Sequence, residues 1–481
     1  MKVRRNIWFL LLSVVFISLF SPTTSPFYPF VEQLDSCFFQ VVGWNWANGG
    51  VAYLTAWDQK GPVIYFINML GYLLFGSKVG VWLLQVVSLF LTLHFTYRFL
   101  REEFEERRAT FLTSLSVFAL LNDYASSGNN VEEYLLPLLV PSFWCIYRWT
   151  KQRRWPNENT THNPCFAFLY GVTFAFGLYT RLTNVLALCG AIAVIFFVLV
   201  YHREWKNILY NMLAFVGGFL LLFLPFAIYF YNEGAFDEMW YATYGYNVEY
   251  ASIAPDLDPW SVNRFLYLLK SAILCFVLVF VSLLMVFHSP QRRLAGFLWL
   301  IADCSCMAWL MTGNGFNHYF IITFPFYSIS LCELRKLWSL KGKMIYGKMV
   351  VVFLSLLVLA CTYELYGTYK GMTIPDTNIS FYTQVKKDIG TDKSKTFLAW
   401  NSIPSIYLFL NRQPGMRFLS YQESHISFSR TLEPKVVASF LQTRPYWVLI
   451  CYGGNAIEKI LEKDYVLCKS YKGGQKLYRK L

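Results

Sequence analysis

Charged residues are scarce in this sequence. Only 15% of its 481 residues are Asp, Glu, Lys or Arg, whereas a water-soluble domain carries about 25%. Hydrophobic residues make up 56% of the chain, and runs such as 208–231 and 266–287 approach the ~20 residues that cross a bilayer as a helix. The shortage of charge argues against a water-soluble multidomain protein, and the apolar runs predict a chain that crosses a membrane many times.

The sequence also has no C-x-x-C pair among its eleven cysteines. Most of the cysteines lie inside apolar runs, where cysteine acts as a small buried hydrophobic residue. Cys451 and Cys468 lie instead in the polar last segment. They form a disulfide if that segment faces an oxidising compartment, or else remain two free thiols.

A signal-peptide cleavage site is missing as well. A basic N-terminus precedes the apolar run 7–20, but the residues that follow, SPTT, contain no A-x-A site. The first run is therefore predicted to be an uncleaved membrane span.

Eleven spans are predicted from the apolar runs. The segment 61–75 is apolar but only fifteen residues long, which suits an interfacial or re-entrant helix better than a span. The predicted spans lie near residues 7–21, 80–98, 109–122, 133–149, 165–180, 183–201, 208–231, 266–287, 294–311, 319–334 and 348–367.

The distribution of basic residues decides how these spans are oriented. With segment 61–75 at the outer interface, the inner connections hold 20 Lys and Arg residues and the outer ones only four. Counting that segment as a twelfth span would place 17 of the 20 outside. Because basic residues gather on the cytoplasmic side, we expect a cytoplasmic N-terminus and an external C-terminus. This pattern explains much of the net charge of +13 without a nucleic-acid partner.

The chain becomes polar after about residue 367 and has no further spanning run. Helix-like and strand-like pieces alternate there, and a Gly-Gly pair at 473–474 suits a turn between the last two strands. The predicted fold is thus a polytopic α-helical membrane protein with two domains. Residues 1–367 form the transmembrane module, with a first outer loop at about 22–79, and residues 368–481 form a small α/β extracytoplasmic domain. The strand-like pieces are 396–400, 446–451, 465–470 and 476–479, and the helix-like pieces are 381–389, 434–441 and 456–462.

The first outer loop holds the most informative polar residues. Asp35 follows the first span, and a W-D-x-K-G-P element at 57–62 opens the interfacial segment. A lysine beside helix N–H groups is suited to a phosphate, and an acid at the water boundary is suited to proton transfer. Asp35 and Lys60 are therefore the leading candidates for a site that binds a phosphorylated lipid.

The motifs and their order along the chain resemble those of the GT-C glycosyltransferases. The resemblance is to bacterial relatives of dolichyl-phosphate-mannose-protein mannosyltransferase and of the aminoarabinose transferase of lipid A. Asp35 stands where the family has its catalytic acid. Residues 58–62, DQKGP, match its D/E-x-K-P-P-like element, whose lysine contacts the carrier phosphate, although Gly61 replaces the first proline. Glu132 and Glu133, in GNNVEEYLLPL, stand near its second acid.

Two further motifs extend the resemblance. Arg181, in GLYTR, stands where relatives carry a basic residue, and His318-Tyr319 resembles the H-Y or R-Y pair that opens the tenth span. The resemblance implies an inverting glycosyltransferase that moves a sugar from a polyprenyl-phosphate carrier to a glycan, lipid or protein acceptor. Asp35 is the implied general base, and one of the two glutamates is the implied second catalytic acid. Lys60 and Arg181 would hold the phosphate.

Several alternatives stay open at this point. Asp58 either pairs with Lys60 or contacts the sugar, and a hydrogen-bonded structural role explains His318 equally well. No cofactor is predicted; some oligosaccharide-transferring relatives hold a divalent cation, but no ligand set is fixed here. A transporter or lipid flippase, a ligase of lipid-diphosphate glycans and a membrane scaffold are the competing functions. The expected location is the bacterial inner membrane, and neither the sugar nor the acceptor follows from the sequence.

Overall fold

The computed structural model describes most of the chain. The described residues are 2–28, 34–124, 128–151, 161–253, 261, 267–268, 271–312, 316–341, 348–352, 355, 376–429 and 431–481.

The chain forms two compact units, each assembled from separate stretches of sequence. The first unit comprises Met1–Ser21, Leu83–Phe226 and Asp256–Gly371. The second unit comprises Pro22–Trp82, Ala227–Pro255 and Met372–Leu481. The division of the sequence into domains at residue 367 stays a prediction.

Most of the described chain is helical. The helices up to residue 253 are α1 (Lys2–Phe20), α2 (Leu34–Ala47), α3 (Pro62–Phe75), α4 (Lys78–Leu100), α5 (Glu106–Ser116), α6 (Phe118–Tyr124), α7 (Val131–Lys151), α8 (Pro164–Leu178), α9 (Leu186–Tyr201), α10 (Trp205–Asn232), α11 (Phe236–Trp240) and α12 (Tyr246–Ile253). The later ones are α13 (Ile273–His288), α14 (Arg293–Thr312), α15 (Phe324–Lys341), α16 (Asp376–Ile389), α17 (Ser405–Leu410), α18 (Gln422–Phe428), α19 (Leu432–Thr443) and α20 (Glu458–Asp464). Short 3₁₀ helices cover Leu182–Val185, Pro290–Arg292, Asn317–Thr323 and Asn455–Ile457, and a π-helical turn covers Tyr241–Gly245.

Ten of the eleven predicted spans overlap described helices, and the last, 348–367, lies largely outside the described residues. Within the described residues, five helical segments are long and apolar enough to cross a membrane: Val3–Phe20, Lys78–Leu100, Leu182–Tyr201, Trp205–Asn232 and Pro290–Met311. Shorter apolar helices cover Pro62–Phe75, Pro164–Leu178 and Ile273–His288. The protein is therefore an integral membrane protein, whereas the count of eleven spans and their orientation stay predictions.

Glycine brings two helices of the first unit into close contact. A Cβ at Gly171 of α8 would lie 2.0 Å from the carbonyl oxygen of Phe215 in α10. A Cβ at Gly218 of α10 would lie equally close, 2.0 Å, to the carbonyl oxygen of Phe168 in α8. Membrane helices gain little from hydrophobic burial against each other, so close backbone packing of this kind is a main source of their association.

Arg292 is buried in an ion pair of the first unit. It lies in one of the predicted inner connections. Its side chain is only 3% exposed, and Nε donates to Glu333 Oε2 at 3.1 Å. Its Nη1 donates to the carbonyl oxygen of Thr150 at 2.9 Å, and Trp299 Nε1 donates to Glu333 Oε1 at 2.9 Å. The pair thus joins the end of α7, the start of α14 and the middle of α15.

The second unit contains a four-stranded sheet with the order β1-β2-β4-β3. The strands are β1 (Phe397–Trp400), β2 (Trp447–Ile450), β3 (Tyr465–Ser470) and β4 (Lys476–Lys480), each within one residue of its predicted position. β1 and β2 are parallel, while β4 pairs antiparallel with both β2 and β3.

The remaining predictions for this segment concern its turn and its thiols. Gly474 has a φ of +84° in the turn between β3 and β4, as the Gly-Gly pair indicated. No disulfide joins Cys451 to Cys468 in the described part of the chain.

Candidate functional site

In the second unit, Asp35 lies in the first turn of α2 and is half-buried. A carboxylate is favoured there by the positive end of the helix dipole. Phe39 lies one turn further on the same face of α2, and its ring packs against Tyr65 of α3 with centroids 6.1 Å apart. Asp35 and Phe39 are four residues apart, so the acid lies on the face of α2 that packs toward Tyr65.

The backbone of Lys60 is held from both sides by buried tyrosines. Tyr53 Oη donates to the carbonyl oxygen of Lys60 at 2.8 Å, and the Lys60 N–H donates to Tyr65 Oη at 3.0 Å. Gly61 is extended and Pro62 occupies the first turn of α3, as the sequence predicted. These contacts fix a half-exposed lysine just before the N-terminus of a helix.

Asp58 is buried, with 4% of its surface exposed, and its Oδ2 accepts a 2.6 Å hydrogen bond from Tyr65 Oη. Burial raises the pKa of Asp58, and the Tyr65 hydrogen bond, the charge of Lys60 and the Gln59 N–H oppose that rise. The negative charge of Asp35 raises the pKa further. Asp35, Asp58, Lys60, Tyr53 and Tyr65 are called the lysine cluster below.

The packing of three residues beside this cluster was missed from the sequence. Trp57 is fully buried, and its ring packs edge-to-face against Tyr246 at 5.4 Å and His425 at 5.1 Å. Tyr246 Oη lies 3.1 Å from His425 Nδ1, and burial lowers the pKa of His425 to about 4. The three residues are far apart in sequence, so no local pattern could have associated them.

In the first unit, Glu132 is fully buried at the start of α7. Asn184 Nδ2 donates to its Oε1 at 3.1 Å, and Arg181 Nη1 lies 3.9 Å from the same oxygen. The guanidinium of Arg181 lies 3.6 Å from the ring centroid of Tyr319 and 4.8 Å from that of Trp309. Glu132 Oε2 is buried and has no hydrogen-bond partner among the described residues. These five residues are called the arginine cluster below.

The neighbouring acid, Glu133, is also buried but is fully hydrogen-bonded. Its Oε1 accepts from the backbone N–H of Asn130 at 2.9 Å and from the Asn130 side chain at 3.0 Å. Its Oε2 accepts from Gln85 Nε2 at 2.8 Å. A glutamate that reaches back to the residue capping its own helix forms half of a capping box, so Glu133 stabilises the N-terminus of α7.

His318 and Tyr319 both lie buried in the 3₁₀ helix Asn317–Thr323. Tyr319 supplies a ring to Arg181, while His318 stacks on Phe316 with centroids 5.9 Å apart. Within the first unit, the structure thus brings Glu132, Arg181 and Tyr319 together, with His318 beside Tyr319. Within the second unit, it brings Asp35, Asp58 and Lys60 together. Among the described residues, no group of three or more His, Cys, Asp or Glu side chains is arranged to hold a metal ion.

The fold is similar to that of solved glycosyltransferases. The crystal structure of ArnT from Cupriavidus metallidurans bound to undecaprenyl phosphate superposes with a TM-score of 0.58 over 99% of this chain and 98% of that chain, at 14% identity. The chain therefore shares the fold of ArnT, and the expected resemblance to the GT-C glycosyltransferases is confirmed at the level of the fold.

Two crystal structures of an oligosaccharyltransferase from Archaeoglobus fulgidus are less similar. The complex with zinc and sulfate has a TM-score of 0.46 at 13% identity and covers 97% of this chain and 73% of that chain. The apo form has a TM-score of 0.45 at 12% identity and covers 92% of this chain and 69% of that chain.

Sequence comparison is informative for the membrane-embedded part. No curated protein sequence matches the chain significantly. Residues 1–369, well over half of the chain, match a family described as the putative competence-induced protein Ccs4 N-terminal domain. The chain therefore belongs to the Ccs4 family of putative competence-induced proteins, defined by this N-terminal domain.

Proposed function

We propose that this protein is an inverting glycosyltransferase that moves a sugar from a polyprenyl-phosphate carrier to an acceptor outside the cytoplasm. The observation that carries the proposal is that Asp35, in the first turn of α2, and Lys60, just before α3, both interact electrostatically with the buried Asp58. The proposal is supported by the shared fold with ArnT, whose crystal structure holds undecaprenyl phosphate.

Lys60 is the proposed ligand of the carrier phosphate. Its backbone is fixed by Tyr53 and Tyr65, so the point from which its side chain extends is set before the carrier binds. The N-terminus of α3 adds a positive potential at the same place, and both features favour a phosphate anion. As the sugar–phosphate bond breaks, negative charge grows on the leaving phosphate, so these groups bind the transition state more tightly than the donor.

Asp35 is the proposed general base. The acceptor hydroxyl or amine attacks the anomeric carbon from the face opposite the phosphate, and its proton passes to the Asp35 carboxylate. The bond from the anomeric carbon to the phosphate oxygen breaks, the electron pair stays on that oxygen, and polyprenyl phosphate leaves. Asp35 is half-buried, so an acceptor can reach it, whereas Asp58 is buried and already hydrogen-bonded to Tyr65.

The arginine cluster is proposed to contribute a second set of contacts with the donor. The role of Arg181 at the carrier phosphate depends on the family resemblance. The buried Oε2 of Glu132 lacks a partner among the described residues, which suits it to accept a hydrogen bond from a sugar hydroxyl. Of the two glutamates, Glu132 is therefore the proposed functional one, because the oxygens of Glu133 are already occupied.

The proposed location is the inner membrane of a bacterium, with the N-terminus in the cytoplasm and residues 368–481 outside. The polyprenyl tail would stay in the lipid while its phosphate reaches the outer side. Candidate acceptors are a glycan, a lipid or a protein. With this proposed topology, the polar segment 368–481 would lie on the same side of the membrane as the acceptor.

The proposal is tested with the purified protein, a labelled polyprenyl-phosphate sugar and a mixture of envelope acceptors. Asp35→Asn should lower the rate of acceptor-dependent release of polyprenyl phosphate by about 10³-fold, within the range lost with a general base. Asp237→Asn is the matched control, since Asp237 is an exposed acid in the first turn of α11 of the same unit. Equal turnover of the two variants would refute the assignment of the base, and no turnover with any carrier would favour a transporter or flippase.

A further inference from the structure

A cavity of about 450 Å³ lies within the second unit, separate from the lysine cluster. It is bounded by α2, the junction of α3 and α4, and helices α16 and α17. Its volume lies within the range of pockets that enclose small molecules. Its lining residues range from buried, such as Gln40, to exposed, such as Asn411, so the cavity is accessible from outside.

The cavity lies on the far side of α2 from the proposed catalytic acid. Cys37, Gln40 and Trp44 line it, and their spacing of three and four residues places them on one face of the helix. At 3.6 residues per turn, Gln40 is roughly 140° around the helix from Asp35. The cavity is therefore a second site and not an extension of the first.

Aromatic side chains form part of its wall. Trp44 and Tyr72 lie with ring centroids 6.4 Å apart, and Phe409 of α17 also lines the cavity. Aromatic faces carry negative partial charge and are suited to the weakly positive C–H groups of a sugar ring.

The floor of the cavity is polar and its hydrogen bonds are long. Gln40 is buried, and its Oε1 accepts from Tyr72 Oη at 3.3 Å. Its Nε2 donates to the carbonyl oxygen of Thr23 at 3.5 Å and to Ser36 Oγ at 3.2 Å. Bonds at or beyond the upper end of the usual 2.7–3.2 Å range are weak, so this amide retains capacity for the hydroxyl groups of a ligand.

The cavity is positively charged. Of the residues that line it, Lys78 is the one cation, and none is Asp or Glu. Lys78 is the first residue of the 23-residue helix α4, and the positive end of a helix dipole favours an anion at this position. The described hydrogen bond of that ammonium is to the carbonyl oxygen of Tyr28 at 2.5 Å, and no described carboxylate forms an ion pair with it.

We propose that this cavity binds a saccharide that carries a phosphate or carboxylate group. Trp44, Tyr72 and Phe409 contact the sugar ring, Gln40 binds its hydroxyl groups, and Lys78 with the N-terminus of α4 binds the anion. The same chemistry is offered by a soluble sugar phosphate and by the headgroup of a phosphorylated glycolipid. Binding here does not depend on the transfer reaction proposed for Asp35.

The test is calorimetric titration of the protein, in nanodiscs of neutral lipid, with glucose 6-phosphate, glucose and inorganic phosphate. Glucose 6-phosphate should bind at least tenfold more tightly than either fragment. Lys78→Gln should weaken glucose 6-phosphate about tenfold and leave glucose unchanged, while Trp44→Leu should weaken both. Lys387→Gln, at an exposed lysine of α16, is the matched control and should bind like the wild type.

A second arm distinguishes the two sources of the ligand. Nanodiscs that contain a glycolipid with a phosphorylated sugar headgroup should reduce the apparent affinity for glucose 6-phosphate if the headgroup occupies the cavity, and should leave it unchanged if the ligand is soluble. Equal affinities in Lys78→Gln and Lys387→Gln would overturn the proposal, as would the absence of saturable binding to the wild type. Since Asp35→Asn should bind glucose 6-phosphate normally, failure of the transferase assay and failure of this proposal are separate results.

Discussion

In the lysine cluster the buried carboxylate, Asp58, accepts a short hydrogen bond from Tyr65, and the same tyrosine fixes the backbone of Lys60. In the arginine cluster the buried carboxylate, Glu132, uses one oxygen for Asn184 and Arg181 and leaves the other without a described partner. Burying a polar atom without a partner costs about 1–3 kcal/mol. A fold tolerates such a cost where a ligand uses the atom, so we propose that Asp58 has a supporting role and that Glu132 binds the ligand.

After the loss of Asp35, the largest expected effect comes from removing the cation of the lysine cluster. Lys60→Gln should lower the transfer rate about 10²- to 10³-fold, because a positive group aimed at the leaving phosphate stabilises the transition state by about 3–4 kcal/mol. Its unfolding temperature should not change, since the backbone contacts of residue 60 do not use the side chain. The measurement is single-turnover release of polyprenyl phosphate, with Lys387→Gln as the control; a rate within threefold of the wild type would contradict the role of Lys60.

The adjacent glutamates provide an internal comparison within the first unit. Glu133→Ala should destabilise the protein by about 3 kcal/mol, because the Asn130 N–H and the Gln85 amide would be left buried without an acceptor. Glu132→Gln should change stability little but should lower the transfer rate. Thermal unfolding in detergent and the transfer assay measure the two properties separately. If Glu133→Ala were as stable as Glu132→Gln, the capping role would be wrong.

His425 makes the stability of the second unit depend on pH. Its pKa in the folded protein is about 4, below the usual 6.5. Between these two pH values the histidine is protonated in the unfolded state and neutral in the folded state. Stability is therefore full above about pH 6.5 and falls as the pH drops toward 4, by about 2 kcal/mol between pH 7 and 5. The unfolding midpoint of His425→Gln should show a smaller decrease over this interval; identical pH profiles would rule out His425 as the source.

The smallest expected effect concerns the tyrosine that links Asp58 to Lys60. Tyr65→Phe removes one hydroxyl and should lower the transfer rate about fivefold, or about 1 kcal/mol, through loss of the positioning of Lys60. Because the hydroxyl positions the lysine, the variant should raise KM for the carrier more than it lowers kcat. Tyr53→Phe removes the other contact of the Lys60 backbone and should behave alike, whereas a pure loss of kcat in either variant would argue for direct participation in the chemistry.

Features with a local cause were predictable from the sequence. The length and spacing of apolar runs account for the helix Pro62–Phe75, the described helices at ten predicted spans and the four strands. One detail differs: the predicted span 109–122 consists of two helices, α5 and α6, that meet at Val117.

The contacts of the candidate site were not predictable to the same degree. Asp35, Lys60, Glu132 and Arg181 could be selected because motifs in order along the chain carry a family resemblance. The roles of Tyr65 and Glu133, by contrast, depend on the rotamers of their side chains. The packing of Trp57 on His425 joins residues more than 300 positions apart. One sequence contains no signal for such long-range contacts.

The buried pair of Arg292 and Glu333 has a consequence for how the first unit assembles. During synthesis Arg292 emerges 41 residues before its counter-ion, and an unpaired charge inside the membrane or a protein core is strongly unfavourable. We therefore expect α14 and α15 to reach their final positions in one step, as a hairpin whose two charges become neutralised together. A ribosome-bound chain that ends before residue 333 should leave Arg292 accessible to solvent. A chain extended past residue 333 should bury the Arg292 side chain.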